Sequence, residues 1–381
     1  MIYLDNAATT SPKPIQVARA VDMAVKNLSA NPGRSGHSTS AAASDEIYST
    51  RKTVAELFGC DAPERVVFTL NCTHALNYVI KGVLKKGDHV IVSSVEHNAV
   101  MRPVYKMFKE GLITYDEAQA VFLDDEATVK NFRSLIRNNT KMIICTAASN
   151  VTGQMLPIGS IGKLCREHGI LFTVDAAQAA GVIDININEL CIDYLCCAGH
   201  KGLYGPMGTG ILVAAREISD TLVEGGTGNL SAILTQPDEL PERLESGTVN
   251  LPGIIGLKKG IEFVKGRGIN SIYRHELGLI QRAYSGLSRD SLVKLYTPVP
   301  KAGQFVPVMV FNVGVLESSK TGKLLNSMGV AVRTGLHCAP SAHRSIGTLD
   351  YGAVRISTSA FSRSEEIERF LSIVHTIARK Y

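Results

Sequence analysis

Between residues 66 and 215 the chain alternates short apolar runs with longer stretches of helical periodicity. The runs fall at 66–70, 89–94, 142–147, 171–176, 194–198 and 210–214. Most are continuous rather than alternating, the pattern of strands buried on both faces. Residues 158–167 read as a helix that stops at His168-Gly169 and turns into the next run. Repeated strand–helix–strand order predicts an open, mostly parallel α/β sheet with right-handed crossovers. Ligands on such sheets gather beyond the carboxyl ends of the strands.

After Gly225-Gly226 the texture changes. Residues 253–290 read as helix, broken at Gly266-x-Gly268. A strand at 308–313, a helix at 319–328, a strand at 353–357 and an amphipathic closing helix at 364–379 follow. Ser364 is the expected cap of that last helix, with Glu365 and Glu366 in its first turn. The expected organisation is a short N-terminal segment (1–20) packing with the small domain, a large domain (21–250) and a small α+β domain (251–381).

At 381 residues, 45% hydrophobic and 20% charged, the chain has ordinary globular composition. Its formal charge, 40 − 35 = +5, includes no Lys/Arg-rich run, so no nucleic-acid partner is expected. No apolar stretch reaches the roughly 18–20 residues of a bilayer span, and no membrane partner is expected. Residues 1–10 lack a basic segment followed by an apolar one, so no secretory leader is expected. None of the eight cysteines forms a C-x-x-C pair, so neither a metal site nor a disulfide framework is expected. Most lie in apolar runs, as in a reducing cytoplasm.

Candidate chemistry collects at the ends of the apolar runs. The run 194–198 passes into His200-Lys201 and a glycine-rich turn. A lysine at the mouth of a buried strand loses hydration, its amine pKa falls, and it suits Schiff-base chemistry; in isolation it would read as the start of a surface loop. Asp175 ends the run at 171–176, where a buried carboxylate needs a cationic partner or hydrogen bonds. A pyridinium nitrogen is one such partner and a helix cap is the alternative. Leu70-Asn71-Cys72-Thr73 ends a strand and opens a helix, a phosphate-binding geometry or a simple cap. His97 and Asn150 follow two further strands; His97 suits stacking on an aromatic cofactor, proton transfer or a structural hydrogen bond. Four strand ends thus deliver Thr73, His97, Asn150 and Asp175, a fifth delivers His200-Lys201, and all are expected at one crevice. Cys338 stands apart, in the loop-like stretch 334–340, with Arg333 and His337 near enough in sequence to favour a thiolate.

Over nearly its whole length the chain resembles the class-V aminotransferase family of fold-type I pyridoxal phosphate (PLP) enzymes, and within it the cysteine desulfurases and selenocysteine lyases. The resemblance runs from the Tyr3–Thr10 segment through Asn31–His37 and the segments above to Glu245-Ser-Gly247-Thr248, Arg333-Thr-Gly-Leu-His337-Cys338 and Val354-Arg355. It implies that Lys201 holds PLP through a Schiff base. Asp175 would pair with the pyridinium nitrogen, Gln178 would contact the ring hydroxyl and His97 would stack on the ring. Thr73 and His200 would bind the phosphate, with His74 counted among the cofactor contacts. Thr248 would reach the phosphate of the neighbouring subunit, which implies a homodimer. Arg355 would clamp the substrate carboxylate, with Asn150, Arg333 and Ala7 beside it. Cys338 would accept the sulfur.

Three positions depart from the family pattern. Ala198 replaces the usual Ser or Thr before Gly-His-Lys, removing one phosphate hydrogen bond, about 1–2 kcal/mol unless replaced; Thr227 and Cys72 are the candidate replacements. His74 stands where an acidic residue is common, and Phe361-Ser-Arg-Ser precedes the acidic pair near the C-terminus. The short interval from Cys338 to Arg355 resembles the group with a compact catalytic loop.

The resemblance implies L-cysteine as substrate, alanine as product and a persulfide on Cys338, passed to an acceptor protein or thiol. The alternatives are a selenocysteine lyase, a class-V transaminase, epimerase or kynureninase-like enzyme that ignores Cys338, and a PLP-binding protein without efficient catalysis. A Rossmann dehydrogenase is disfavoured, because no G-x-G-x-x-G follows the first strand.

Overall fold

The computed structural model describes residues 1–33, 36–228 and 232–380; Arg34 and Ser35 of the 31–37 motif lie outside them. The chain opens with β1 (Ile2–Tyr3), α1 (Ile15–Asn27) and α2 (Ser38–Phe58). The strand–helix alternation follows as β2 (Val66–Thr69), α3 (Cys72–Val83), β3 (Asp88–Ser93), α4 (Asn98–Lys109), β4 (Ile113–Ala118), α5 (Asp125–Ser134), β5 (Thr140–Thr146), α6 (Ile158–His168), β6 (Leu171–Asp175), β7 (Tyr194–Ala198) and β8 (Gly210–Ala214). The remainder is α7 (Leu251–Arg267), α8 (Ile269–Leu287), β9 (Val293–Leu295), β10 (Val308–Val313), α9 (Ser318–Ser327), β11 (Val330–Ala331), β12 (Arg333–Gly335), α10 (Pro340–Ser345), β13 (Ala353–Ser357) and α11 (Ser364–Lys380).

Strands β2 to β8 form one seven-stranded sheet in the order β2-β8-β7-β6-β5-β3-β4. Only β8 runs against its neighbours. The carboxyl ends of β2, β3, β5, β6 and β7 therefore share one edge. The central strands are apolar on both faces because both are covered: Ile143, Cys145 and Cys197 join one core, Met142, Ile144 and Cys196 the other. Strand β4 has no apolar run in the sequence. It is one of the two edge strands, and unlike β2 at the other edge its middle residues meet solvent, so burial imposes no hydrophobic pattern on it.

A four-stranded sheet, β12-β13-β10-β9, carries the C-terminal part, with α8, α9 and α11 around it. The N-terminal segment is stitched to this part, since β1 pairs with β11 and Asp5 bridges Ser357. The boundary expected after residue 250 falls immediately before α7. Helix α7 packs on α1 and α2, and its Leu251, Ile254, Leu257 and Ile261 enter the core of the large sheet. The break falls at Gly268 (φ +81°), which caps α7 and starts α8. Among the described residues no helix is long and apolar enough to cross a membrane, and no acid, His and Cys cluster could hold a metal ion.

Candidate active site

Each strand end hands its side chain to the crevice through a local device. Asn71 caps α3 by accepting from the amide of His74 at 2.9 Å, so the free amides of the first turn open where β2 ends. Strand β8 passes directly beneath: a Cβ at Gly210 would lie 2.5 Å from the carbonyl carbon of Asn71, so only glycine admits this approach. His97 caps α4, its Nδ1 accepting from the amide of Ala99 at 3.0 Å. Burial lowers the His97 pKa, so the ring is neutral, and with Nδ1 accepting, the proton sits on Nε2. Of the sequence readings of His97, the structural hydrogen bond is made by Nδ1, which leaves Nε2 for another partner.

These devices enclose a cavity of about 190 Å³ lined by Thr73, His97, Asn150, Asp175, Gln178, His200 and Lys201, with Cys72 and Ala198 in its wall. Burial is the main force on the charges here. It lowers the Lys201 amine pKa against the raising pull of Asp175, and it depresses His200 to about 4, assisted by Lys201 and Lys13. Asp175 accepts at Oδ1 from the amide of Ala177 (2.9 Å) and from the Cys72 thiol (3.4 Å), leaving Oδ2 for another donor. His200 Nδ1 is buried with no partner.

The donors fit pyridoxal phosphate. A helix start with an exposed Thr73 and an orphaned His200 nitrogen suits its phosphate. A buried carboxylate with one oxygen to spare suits a pyridinium N–H. A desolvated amine suits its aldehyde.

Several expected contacts are placed otherwise. His74 lies outside the cavity lining: its Nδ1 accepts from the amide of Leu70 (3.4 Å) and its ring stacks on Tyr78 at 4.5 Å. Cys72 cannot replace the hydroxyl missing at Ala198, because its proton is directed at Asp175 and burial pushes its thiol pKa well up. Thr227 and Thr248 line a separate pocket of about 420 Å³. The Gln178 amide donates to the Ala7 carbonyl at 3.0 Å, and the Ala7 amide is taken by Ser357 Oγ at 2.7 Å. Arg355 is 1% exposed. Its Nη2 pairs with Asp5 Oδ1 (2.9 Å), its Nη1 donates to the Asn150 carbonyl (3.0 Å), and its Nε has no partner. The Asn150 amide is spent on the carbonyl of His337, 2.7 Å away.

Cys338 is exposed, with Arg333 Nη2 4.0 Å from its sulfur. His337 does not favour a thiolate there. Its ring is turned into the protein against His343, and burial drives its pKa down to about 2, so it carries no charge. Both residues have positive φ, +50° and +57°, at a cost of about 1–2 kcal/mol each outside glycine. The Cys338 carbonyl accepts from the amide of Asn98 at 2.7 Å, tying the loop to the residue after His97.

Sequence reasoning did not identify Glu96 as a site residue. It is fully buried under His97; Oε1 accepts from the amide of Thr146 (2.7 Å) and from Ser93 Oγ, and Oε2 has no partner. Burial raises its pKa to about 8, and the Asp175 charge adds to the rise. Glu276, buried against the Tyr204 hydroxyl, also sits at about 8, again through burial. Folded protein thus keeps protons that the unfolded chain releases near the ordinary Glu value of 4.5. The stability they confer is complete below that value and is lost as pH rises through 8. Glu96→Gln should accordingly lose less stability than wild type between about pH 6 and about pH 9, read as urea midpoints.

The family model described as aminotransferase class-V matches residues 2–370. A Pyrococcus abyssi protein named "Probable cysteine desulfurase" is 31% identical, with 100% of this chain and 94% of that protein covered. A protein of Salmonella newport named "Cysteine desulfurase" is 30% identical, covering 100% of this chain and 94% of its own length. The apo structure of a cysteine desulfurase from Thermococcus onnurineus NA1 matches with a TM-score of 0.90 at 30% identity, over 100% of this chain and 95% of that one. With sheet, crevice and sequence in agreement from end to end, the chain belongs to the aminotransferase class-V family.

Proposed function

We propose that this protein is a pyridoxal phosphate-dependent cysteine desulfurase, in which Cys338 takes the sulfur of L-cysteine and L-alanine is released. The observation that carries the reading is the meeting of two devices at one crevice: a desolvated Lys201 beside Asp175, and an exposed thiol on a loop hydrogen-bonded to the helix that His97 caps. Names of relatives 30–31% identical along the whole chain support the same reaction.

Bound pyridoxal phosphate supplies an electron sink for Cα of the amino acid. The chain's own residues do the rest. Asp175 Oδ2 would hold the ring N–H, and His200 Nδ1 with the first turn of α3 would hold the phosphate. Arg333 and the unpaired Arg355 Nε–H attract the substrate carboxylate. Lys201 Nζ, its amine pKa lowered by burial against the pull of Asp175, moves the Cα proton. Cys338 Sγ, beside Arg333, gives up its proton as it attacks the substrate sulfur; an S–S bond forms, the C–S bond breaks, and its electron pair stays on carbon, which is protonated. His97 Nε2–H is the donor in reach of the crevice. The sum is L-cysteine plus the Cys338 thiol giving L-alanine plus the Cys338 persulfide, whose outer sulfur then passes to the thiol of an acceptor, freeing the Cys338 thiol. Thr248, exposed in the 420 Å³ pocket away from this cavity, is read as serving a second copy in a homodimer.

The test is peptide mass spectrometry after L-cysteine without reductant, with alanine measured in parallel. One added sulfur on the Cys338 peptide with matching alanine is expected. Cofactor-loaded protein that forms neither would end the desulfurase reading.

A further inference from the structure

A hydrogen-bonded chain of uncharged groups runs behind the reactive cysteine. His337 Nε2 lies 3.4 Å from the Arg333 carbonyl, and His337 Nδ1 lies 3.0 Å from His343 Nε2. His343 Nδ1 lies 2.7 Å from the Thr348 hydroxyl. His337, His343 and Thr348 are all buried, and the two rings stack 14° from parallel. Burial also pushes His343 down to about 4, so both rings are neutral and each carries one proton. A carbonyl only accepts, which fixes the direction of every bond. His337 donates from Nε2 to Arg333, His343 donates from Nε2 to His337 Nδ1, and Thr348 donates to His343 Nδ1.

His337 and Cys338 share the left-handed conformation that sets the thiol outward. Two anchors hold their carbonyls: the Asn150 amide on His337 and the Asn98 amide on Cys338. Asn150 lines the cavity after β5, and Asn98 opens α4 between the lining residues His97 and Ala99. Two more hold the His337 ring, the Arg333 carbonyl at Nε2 and His343 at Nδ1.

We propose that His343, oriented by Thr348, is a positioning residue for Cys338, holding the His337–Cys338 backbone in its left-handed turn at the mouth of the cofactor cavity. The proposal rests on the sulfur-transfer role of Cys338. A phenylalanine at 343 fills the space and donates nothing, so the buried His337 Nδ1 is left bare and the turn loses one of its four hydrogen-bonded anchors. A glutamine can still donate to that nitrogen. Thr348→Val removes only the last donor.

The experiment compares holoenzyme carrying His343→Phe, His343→Gln, Thr348→Val and Thr348→Ser. His343→Phe should lower kcat for alanine formation about 100-fold, the scale of misplacing a reacting group by about an ångström. KM for L-cysteine and the bound-cofactor spectrum should stay at wild-type values. His343→Gln should recover most of the loss, Thr348→Val should fall between, and Thr348→Ser should match wild type. Hydrogen exchange at the Asn98 amide, and iodoacetamide alkylation of Cys338 without substrate, report the loop with no turnover. Both should quicken in His343→Phe. Wild-type exchange, alkylation and kcat in His343→Phe would overturn the proposal. So would equal impairment of the Phe and Gln variants, with KM and cofactor loading lost together. If His343→Phe does not fold, Thr348→Val carries the same readouts with the ring retained. Because exchange and alkylation need no chemistry, a wild-type protein that forms no persulfide would sink the desulfurase reading without deciding this one.

Discussion

Replacing Cys338 with alanine is expected to abolish persulfide formation and lower alanine release from L-cysteine by at least about 1,000-fold, the scale on which loss of an enzymatic nucleophile falls. No other thiol can stand in. Among the eight free cysteines only Cys338 is exposed. Cys72 lines the cavity, but burial keeps it protonated with its proton on Asp175. Cys196 and Cys197 lie in the sheet with pKa values pushed well up by burial. Alanine retains a Cβ, so it accepts φ of +57° as cysteine does, and the fold should be undisturbed. Cofactor absorbance and L-cysteine binding should persist, and mass spectrometry should find sulfur on no peptide. Wild-type alanine release by the variant would instead favour a class-V enzyme that does not use Cys338.

Lys201→Ala should be as severe and should fail at a different stage. The side chain lies in the buried crevice with Asp175, and burial lowers its pKa, the condition under which an amine is nucleophilic at neutral pH. Without it, borohydride should no longer fix the cofactor to the chain, and loss of the Cα base alone should remove about 10²–10⁴ of the rate. Lys201→Arg separates charge from nucleophilicity. It places a fixed cation near Asp175 and should restore neither covalent attachment nor turnover. Borohydride fixation surviving in either variant would reassign the attachment to another amine.

The positions of the strand ends were legible because the large sheet is covered on both sides, so burial writes itself into continuous apolar runs. Strands 194–198, 210–214, 308–313 and 353–357 match their runs end to end. Edge strand β4 was not legible, since solvent on its outer side leaves no such run. The packing of helix α7 was not legible either: it follows a long irregular stretch yet packs with α1 and α2, a choice made by surfaces distant in sequence.

The same division holds at the crevice. Residues at successive strand ends must share an edge once strand direction is known, so Thr73, His97, Asn150, Asp175, His200 and Lys201 could be gathered from sequence order alone. Which of their atoms are free could not. The pairing of Arg355 with Asp5 spans 350 positions, the bond from Cys72 to Asp175 spans 103, and the inward turn of His337 depends on His343. The sequence by itself determined the fold class and the chemical identity of the groups at the strand ends, because both follow from local patterns of burial and turn residues. Only the tertiary structure decided which donors and acceptors are already spent, which carboxyls stay protonated and which way the reactive loop is held, because those depend on desolvation and contacts between segments far apart in the chain.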